Sequence, residues 1–120
     1  MLARAMATIA PLVAGTAAAA EPFSTRDIAL EAAFMVVAVA DYRQTLDIRN
    51  HPGYHEQNPL LGDHPSDVKV RNYFLAMAAG HTVITYLLPP KYRLAWQGST
   101  LAIGVIVVHH NKMLGLSYSF

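Results

Sequence analysis

The 120-residue sequence contains no cysteine and few charged residues, and both shortages limit what the protein can be. Without cysteine, disulfide frameworks, thiolate metal sites and cysteine nucleophiles are excluded. Charged residues make up 14% of the chain and hydrophobic residues 53%, whereas an average soluble domain is roughly 25% charged. The net charge is +1 and no dense basic block occurs, so the sequence gives no support for nucleic-acid binding.

The shortage of charge bears on the fold class. A small soluble domain has a large surface for its volume and needs charged residues to cover it. A chain with so few of them is better suited to lipid. We therefore expect an all-α integral membrane bundle of three transmembrane helices.

The three helices are predicted at about residues 25–47, 67–88 and 92–112. Ser24 or Thr25 can cap the first and Ser66 the second, because serine and threonine accept hydrogen bonds from free N–H groups at a helix start. Pro89-Pro90 ends the second helix. A run of 21 residues at 1.5 Å each is about 31 Å long, which is enough to cross a bilayer.

Residues 1–20 form an apolar segment that ends Ala18-Ala19-Ala20, the small-residue form of a signal-peptidase site. We predict either a cleaved signal peptide or a retained signal anchor, that is, a fourth apolar helix. Residues 21–120 then form a single transmembrane helical domain with a structured polar loop at 49–66, rich in proline, glycine, histidine and asparagine.

The distribution of lysine and arginine predicts a location in the bacterial inner membrane, with loop 49–66 in the cytoplasm. In this topology the end of the first helix, the start of the second and the end of the third lie at one membrane face. That face is predicted to carry a polar cluster: Asp41, Gln44, Thr45, Glu56, Asn58, His64, Arg71, His109, His110 and Asn111.

Within this cluster, Asp41 is expected to pair with Arg43, Arg49, Arg71 or a histidine, since a carboxylate near hydrocarbon needs a partner. It is either a functional group or an anchor for the loop. Glu56 and Asn58 are expected to bond to loop backbone, with Leu60 and Leu61 folded back toward the core. No metal site is predicted, and Asp41, Glu56 and His109 are only the nearest candidates.

Polar side chains also occur within the predicted spans. Glu31 is expected to direct its carboxylate outward to the nearer membrane face, and His81 to form an inter-helix hydrogen bond or a proton relay. Gln97 lies on the expected packing face of the third helix. Small residues that permit close helix approach are Ala76, Gly80, Gly98, Ala102 and Gly104.

A family resemblance rests on two motifs. The first is Asp41-x-x-Gln44-Thr45, and the second is Glu56-x-Asn58-Pro-Leu-Leu-Gly62-x-x-Pro65-Ser66. They resemble small multi-span membrane proteins of bacterial and phage genomes. The similarity extends from about Leu30 to Gly115. It implies a multi-span membrane fold and brings no activity, cofactor or catalytic residue with it.

The expected function is that of a non-enzymatic accessory or assembly subunit of a larger membrane complex. The alternatives are a phage-type membrane-permeabilising, lysis-associated protein, and a metal-dependent membrane site built on Asp41, Glu56 and histidines. No catalytic residue and no cofactor are predicted. The expected partners are the lipid bilayer and other membrane-protein subunits, without nucleic acid.

Overall fold

Three helices make up most of the computed structural model, which describes residues 20–117. Helix α1 spans Thr25–Asp47 and continues into a 3-10 turn at Ile48–Asn50; α2 spans Asp67–Leu87 and α3 spans Pro90–Met113. The expected all-helical architecture and the three helix positions are therefore present. The signal peptide or anchor predicted for residues 1–20 lies, apart from Ala20, outside the described residues.

The expectation that these helices span a membrane is wrong. Among residues 20–117, no helix combines sufficient length with a sufficiently apolar stretch to cross a bilayer. The overall excess of hydrophobic residues suggested spans, but polar and charged residues interrupt each helix, as Glu31, His81 and Gln97 do. The predicted inner-membrane location and cytoplasmic loop rested on those spans and are overturned with them.

Local sequence signals set the helix ends. The Ser24 hydroxyl accepts a hydrogen bond from the Asp27 backbone N–H at 3.1 Å, and Asp27 Oδ2 accepts one from the Ser24 N–H at 3.0 Å. This reciprocal capping box satisfies two free donors at the start of α1. Ser66 caps α2 by accepting from the Lys69 N–H. Pro90 opens α3, because the N–H that proline lacks has no partner within the first turn of a helix.

Helix α1 packs against both other helices, whereas α2 and α3 contact each other much less. The helices run antiparallel in sequence order, so one end of the unit holds the start of α1 and the α2–α3 turn. The opposite end holds the end of α1, the loop and the end of α3. A cleft therefore opens between α2 and α3, with α1 as its floor.

The interior of this helical unit is unusually polar. Among residues 20–117, eight polar or charged side chains are buried, against six apolar ones. The apolar core is concentrated at the loop end, where Leu61, Val70 and Phe74 cluster together. The buried polar side chains are Asp27, Glu31, Gln44, Thr45, His81, Thr85, Arg93 and Gln97. Hydrogen bonds therefore carry much of the inter-helix contact.

The loop is built from its own side chains and backbone. Glu56 Oε1 accepts from the Asn58 N–H at 2.8 Å, and Asn58 Oδ1 accepts from the Leu60 N–H at 3.0 Å. Gly62 has φ of +78°, a left-handed conformation that glycine adopts without steric cost. Leu61 is 3% exposed and joins the core, whereas Leu60 is 72% exposed. Only one of the two leucines expected to fold inward does so.

Candidate functional site

A buried carboxylate, Glu31, lies at the centre of the polar interior. Glu31 Oε1 receives hydrogen bonds from His81 Nδ1 at 2.9 Å and from the Thr82 hydroxyl at 2.8 Å. Oε2 receives one from Gln97 Nε2 at 3.0 Å; the Thr85 hydroxyl lies 3.3 Å away and donates its proton to the His81 carbonyl at 2.8 Å. One side chain of α1 is thus joined to both α2 and α3.

These donors determine the protonation state of Glu31. Burial alone would raise the pKa of this carboxyl group, but the hydrogen bonds from His81, Gln97 and Thr82 outweigh it, and the pKa lies below its ordinary value of 4.5. The group is therefore an anion at neutral pH. Instead of turning outward as expected from the sequence, Glu31 points inward, because the interior supplies three donors.

His81 continues the network to α3. Its Nε2 lies 2.8 Å from the Thr100 hydroxyl oxygen, which is also 2.9 Å from the Trp96 carbonyl oxygen. The imidazole stacks on Phe34 with ring centroids 3.7 Å apart and faces Trp96 at 5.1 Å. Glu31, His81 and Thr100 thus form a carboxylate–imidazole–hydroxyl chain whose imidazole is held between two aromatic rings.

A buried ion pair of Asp27 and Arg93 fastens the end of the unit that holds the start of α1 and the α2–α3 turn. Arg93, which is fully buried, donates from Nη1 to Asp27 Oδ2 at 3.1 Å. Its other N–H groups donate to backbone carbonyls of Glu21, Pro22, Tyr86 and Leu88. Burial would raise the pKa of Asp27, but bonds from Ser24 and Arg93 lower it overall. Arg93 thereby joins the chain before α1 to the α2–α3 turn.

At the loop end, a cavity of about 790 Å³, called the vestibule below, lies between the loop and the ends of α1 and α3. Asp41 and Glu56 line it together with Tyr54, Tyr73 and Asn111. Tyr54 donates its hydroxyl to the Leu114 carbonyl at 2.7 Å, which holds the loop against the end of α3.

Asp41 is only partly buried, and it differs from Asp27 and Glu31 in having few donors. Its one hydrogen bond within residues 20–117 is a long contact of 3.4 Å from Asn111 Nδ2, and it forms no ion pair there. Burial, reinforced by the nearby Glu56 carboxylate, raises the pKa of Asp41 from 3.8 to about 6. Arg49, one of its expected partners, pairs with Asp67 at 2.7 Å instead.

The cleft between α2 and α3, about 450 Å³ in volume, extends from Asp41 toward the His81–Thr100 contact. Asp41 lines both the cleft and the vestibule, so it lies where the two cavities meet. The rest of the cleft is almost entirely apolar. Its polar lining consists of Asp41 at one end and His81, Trp96 and Thr100 at the other.

The sequence-predicted polar cluster is brought together in part. Besides Asp41 and Glu56, the vestibule is lined by Thr45, Asn58, His110 and Asn111. Gln44 is fully buried; it donates to the Val108 carbonyl at 3.0 Å and accepts from Asn111 at 3.3 Å. His64, Arg71 and His109 are exposed and do not line the vestibule.

Of the five small residues expected at helix contacts, Gly104 alone lies at a close approach. A methyl group at Gly104 would come within 2.9 Å of Val37 Cγ1 on α1. Positions 80 and 98 have no atom within 4 Å of such a group, and Ala76 and Ala102 are exposed. Gly80 instead borders the cleft.

Sequence reasoning missed the hydroxyl and indole partners of Glu31 and His81. Thr82 and Thr85 lie one and four residues after His81, and Thr100 lies four residues after Trp96. Residues three or four apart share one side of a helix, so the polar stripes were visible. Their meeting across three helices was not, because it depends on how the helices are rotated.

Among residues 20–117, no group of three or more histidine, aspartate or glutamate side chains is arranged to hold a metal ion. Of the nearest candidates, Asp41 and Glu56 share the vestibule, and His109 lies outside it. Comparison of the chain with models of known protein families, with curated proteins and with solved structures finds no match. The family resemblance of the Asp41 and Glu56 motifs stays a prediction.

Proposed function

We propose that this chain is a non-enzymatic subunit that assembles with another protein through the apolar outer faces of its helices. The observation that carries the proposal is the inverted polarity of the helical unit. Its buried side chains are largely polar, whereas large apolar side chains such as Val36, Leu75 and Ile103 are 61–70% exposed.

Large exposed apolar side chains occur on all three helices, for example Val36 on α1, Val83 on α2 and Val105 on α3. Residues 28–40, 73–88 and 94–108 contain two acidic or basic side chains, Glu31 and His81, and both are buried. The outer surface of these stretches therefore carries no formal charge. Exposed apolar patches commonly mark an interaction site. The belt, defined by these three stretches, is the proposed interface.

The charge pattern also indicates the chemistry of the partner. Exposed charged side chains lie at the two ends of the unit, for example Arg26 and Lys91 at one end and Lys69 and Arg71 at the other. A partner that covers the belt must present an uncharged apolar surface, because a charge opposite the belt would lose its water without compensation. A helical surface of matching length fits that requirement.

The interior supports a structural role for the buried polar groups. Glu31 receives hydrogen bonds from His81, Thr82 and Gln97, and every N–H direction of Arg93 has an acceptor. Side chains bonded in this way hold the helices in register. They leave the outer surface as the part of the molecule that is available to a partner.

Site-specific photo-crosslinking tests the proposal. A benzophenone side chain would replace Val36 on α1, Leu75 on α2 or Leu94 on α3, in cells that naturally encode the protein. Matched controls carry it at the exposed end positions Asp63 and Lys91. We expect the belt positions to yield one discrete adduct with the same second protein, and the controls to yield little of it.

Two results would overturn the proposal. An adduct of twice the chain mass at the belt positions would identify a second copy as the occupant of the belt. The absence of a discrete adduct at all three belt positions would mean that the belt does not bind a protein.

A further inference from the structure

We propose that the α2–α3 cleft binds a linear aliphatic amine, with its chain between the two helices and its ammonium group at Asp41. The cleft opens between α2 and α3 and shares side chains such as Ile103 with the belt; ligand binding there is a function in addition to the assembly role proposed for the belt. It rests on the shape of the cleft, on which of its polar groups already have partners, and on its charge.

The cleft has the form of an apolar channel. Its walls are formed by side chains such as Val37, Met77, Ile103 and Val107, and Gly80 leaves open space on the α2 side. The volume of about 450 Å³ falls in the range of roughly 300–1,000 Å³ that is usual for small-molecule sites. An apolar chain would replace water along these walls, and its burial would stabilise the complex.

At the end of the cleft lined by His81, Trp96 and Thr100, called the inner end, the polar groups of His81 and Thr100 already have hydrogen-bond partners. His81 is bonded through Nδ1 to Glu31 and through Nε2 to Thr100, and the Thr100 hydroxyl also bonds to its own helix. The faces of His81 are occupied by Phe34 and Trp96. This end therefore suits the apolar tip of a ligand.

At the other end of the cleft, called the outer end, the carboxylate of Asp41 receives only a long hydrogen bond from Asn111 among the described residues. Asp41 forms no ion pair within residues 20–117, and Glu56 adds a second carboxylate nearby. No lysine or arginine of the described chain lines the cleft or the vestibule. A cation at this position would compensate a partly desolvated carboxylate, whereas a ligand anion would be repelled. The raised pKa of Asp41, about 6, agrees with the lack of a cation.

The distance between the two ends sets the size of the ligand. Phe34, beside His81, and Asp41 are seven residues apart on α1, which corresponds to about 10 Å along the helix axis. A primary amine with an unbranched chain of medium length spans that distance. Octylamine is a suitable probe when it is used below its micellar concentration.

Trp96 provides the readout, because it is the single tryptophan of the chain and lines the cleft. The full-length protein would be titrated at pH 7.5 with octylamine, octanol or octanoate while tryptophan fluorescence is followed. We expect saturable binding of octylamine, about tenfold weaker binding of octanol, and the weakest binding for octanoate, since a hydrogen-bonded charge pair contributes a factor of this order.

Two kinds of variant locate the ligand. Asp41→Asn should weaken octylamine binding to the level of octanol and leave octanol binding unchanged, because the amide keeps the shape and removes the charge. Gly80→Leu fills the cleft and should weaken both ligands. Gly98→Leu is the matched control, because Gly98 also has open space around it but does not line the cleft; it should bind like the wild type.

Circular dichroism would verify that each variant keeps its helices. Equal affinities of the wild type for octylamine and octanol would overturn the proposal, as would an Asp41→Asn variant that binds octylamine unchanged. The same conclusion would follow if Gly80→Leu and Gly98→Leu weakened binding equally, or if octylamine caused no saturable change. The Gly80 and Gly98 pair tests the position of the ligand even if Asp41→Asn does not fold.

Discussion

Glu31 and Asp41 lie on the same helix, ten residues and about 15 Å apart, yet their environments act on them in opposite directions. Glu31 is 7% exposed and has three donors, and its pKa is lowered. Asp41 is less buried and has one distant donor, and its pKa is raised to about 6. The number of donors around a carboxylate, more than its depth, therefore decides whether the folded chain favours its charge.

The largest expected effect is the loss of the better-bonded acid. Glu31→Ala should lower the free energy of unfolding by about 3–5 kcal/mol at pH 7.5, because it leaves buried donors of His81, Thr82 and Gln97 without an acceptor. Urea denaturation followed by circular dichroism measures this. Asp63→Ala, at an exposed loop position, serves as the control and should stay within about 0.5 kcal/mol of wild type.

The Glu31 effect should also depend on pH. Because folding lowers the pKa of Glu31, its stabilising contribution is present above the unfolded value of 4.5 and is lost as the pH falls through the folded value. The difference between wild type and Glu31→Ala should shrink in acid. A penalty that is the same at pH 3 and pH 7.5 would show that the charge of Glu31 is not what the donors stabilise.

A somewhat smaller effect is expected for the buried ion pair of Asp27 and Arg93. Arg93→Lys should cost about 2–3 kcal/mol, because lysine keeps the charge near Asp27 but cannot reach the carbonyl groups that the planar guanidinium serves. Thermal and urea denaturation measure the loss. The converse substitution Lys91→Arg, at an exposed position two residues away, should be nearly neutral. Equal stability of Arg93→Lys and wild type would show that the bonds from the guanidinium to the backbone carbonyl groups do not stabilise the fold.

Substitution of Asp41 is expected to change the stability of the fold in the opposite direction. Folding raises the pKa of this group from 3.8 to about 6, so ionisation destabilises the fold. The penalty is absent below about pH 4 and complete above about pH 6. Asp41→Asn should therefore stabilise the protein by about 1–2 kcal/mol at pH 7.5 and have little effect at pH 4. A destabilised variant at pH 7.5 would mean that Asp41 has a cationic partner.

The smallest expected effect concerns the neighbour of Asp41. Because the Glu56 carboxylate raises the pKa of Asp41, Glu56→Gln should shift the Asp41 titration midpoint from about 6 toward its ordinary value. Carbon-13 NMR of the aspartate carboxyl groups follows the midpoint directly. Asp63→Asn provides a matched removal of loop charge, and an equal shift there would assign the effect to net charge instead of proximity.

The positions of the helices could be predicted almost completely from the sequence, because the signals that set them are local. Predicted bounds of 25–47, 67–88 and 92–112 compare with Thr25–Asp47, Asp67–Leu87 and Pro90–Met113. Serine caps and a proline pair act on their immediate neighbours, so no knowledge of the fold is needed to read them. The polar loop was identified for the same reason, through its proline, glycine and asparagine residues.

The prediction that the helices lie in a membrane, by contrast, was wrong because it relied on the overall composition. Apolar residues are abundant, but they do not form a membrane-crossing stretch in any helix of residues 20–117. Glu31 was judged by its neighbours in sequence, which are apolar. The side chains that bond to it come from α2 and α3.

The sequence by itself thus determined where each helix begins and ends, and that polar side chains recur on particular helix faces. Tertiary structure alone decided that Glu31 meets His81 and Gln97, that Asp27 meets Arg93, and that Asp41 meets no cation within residues 20–117. The physical reason is that caps and turns are interactions over a few residues. The rotation of three helices about their axes is fixed by contacts between residues 50 to 70 positions apart.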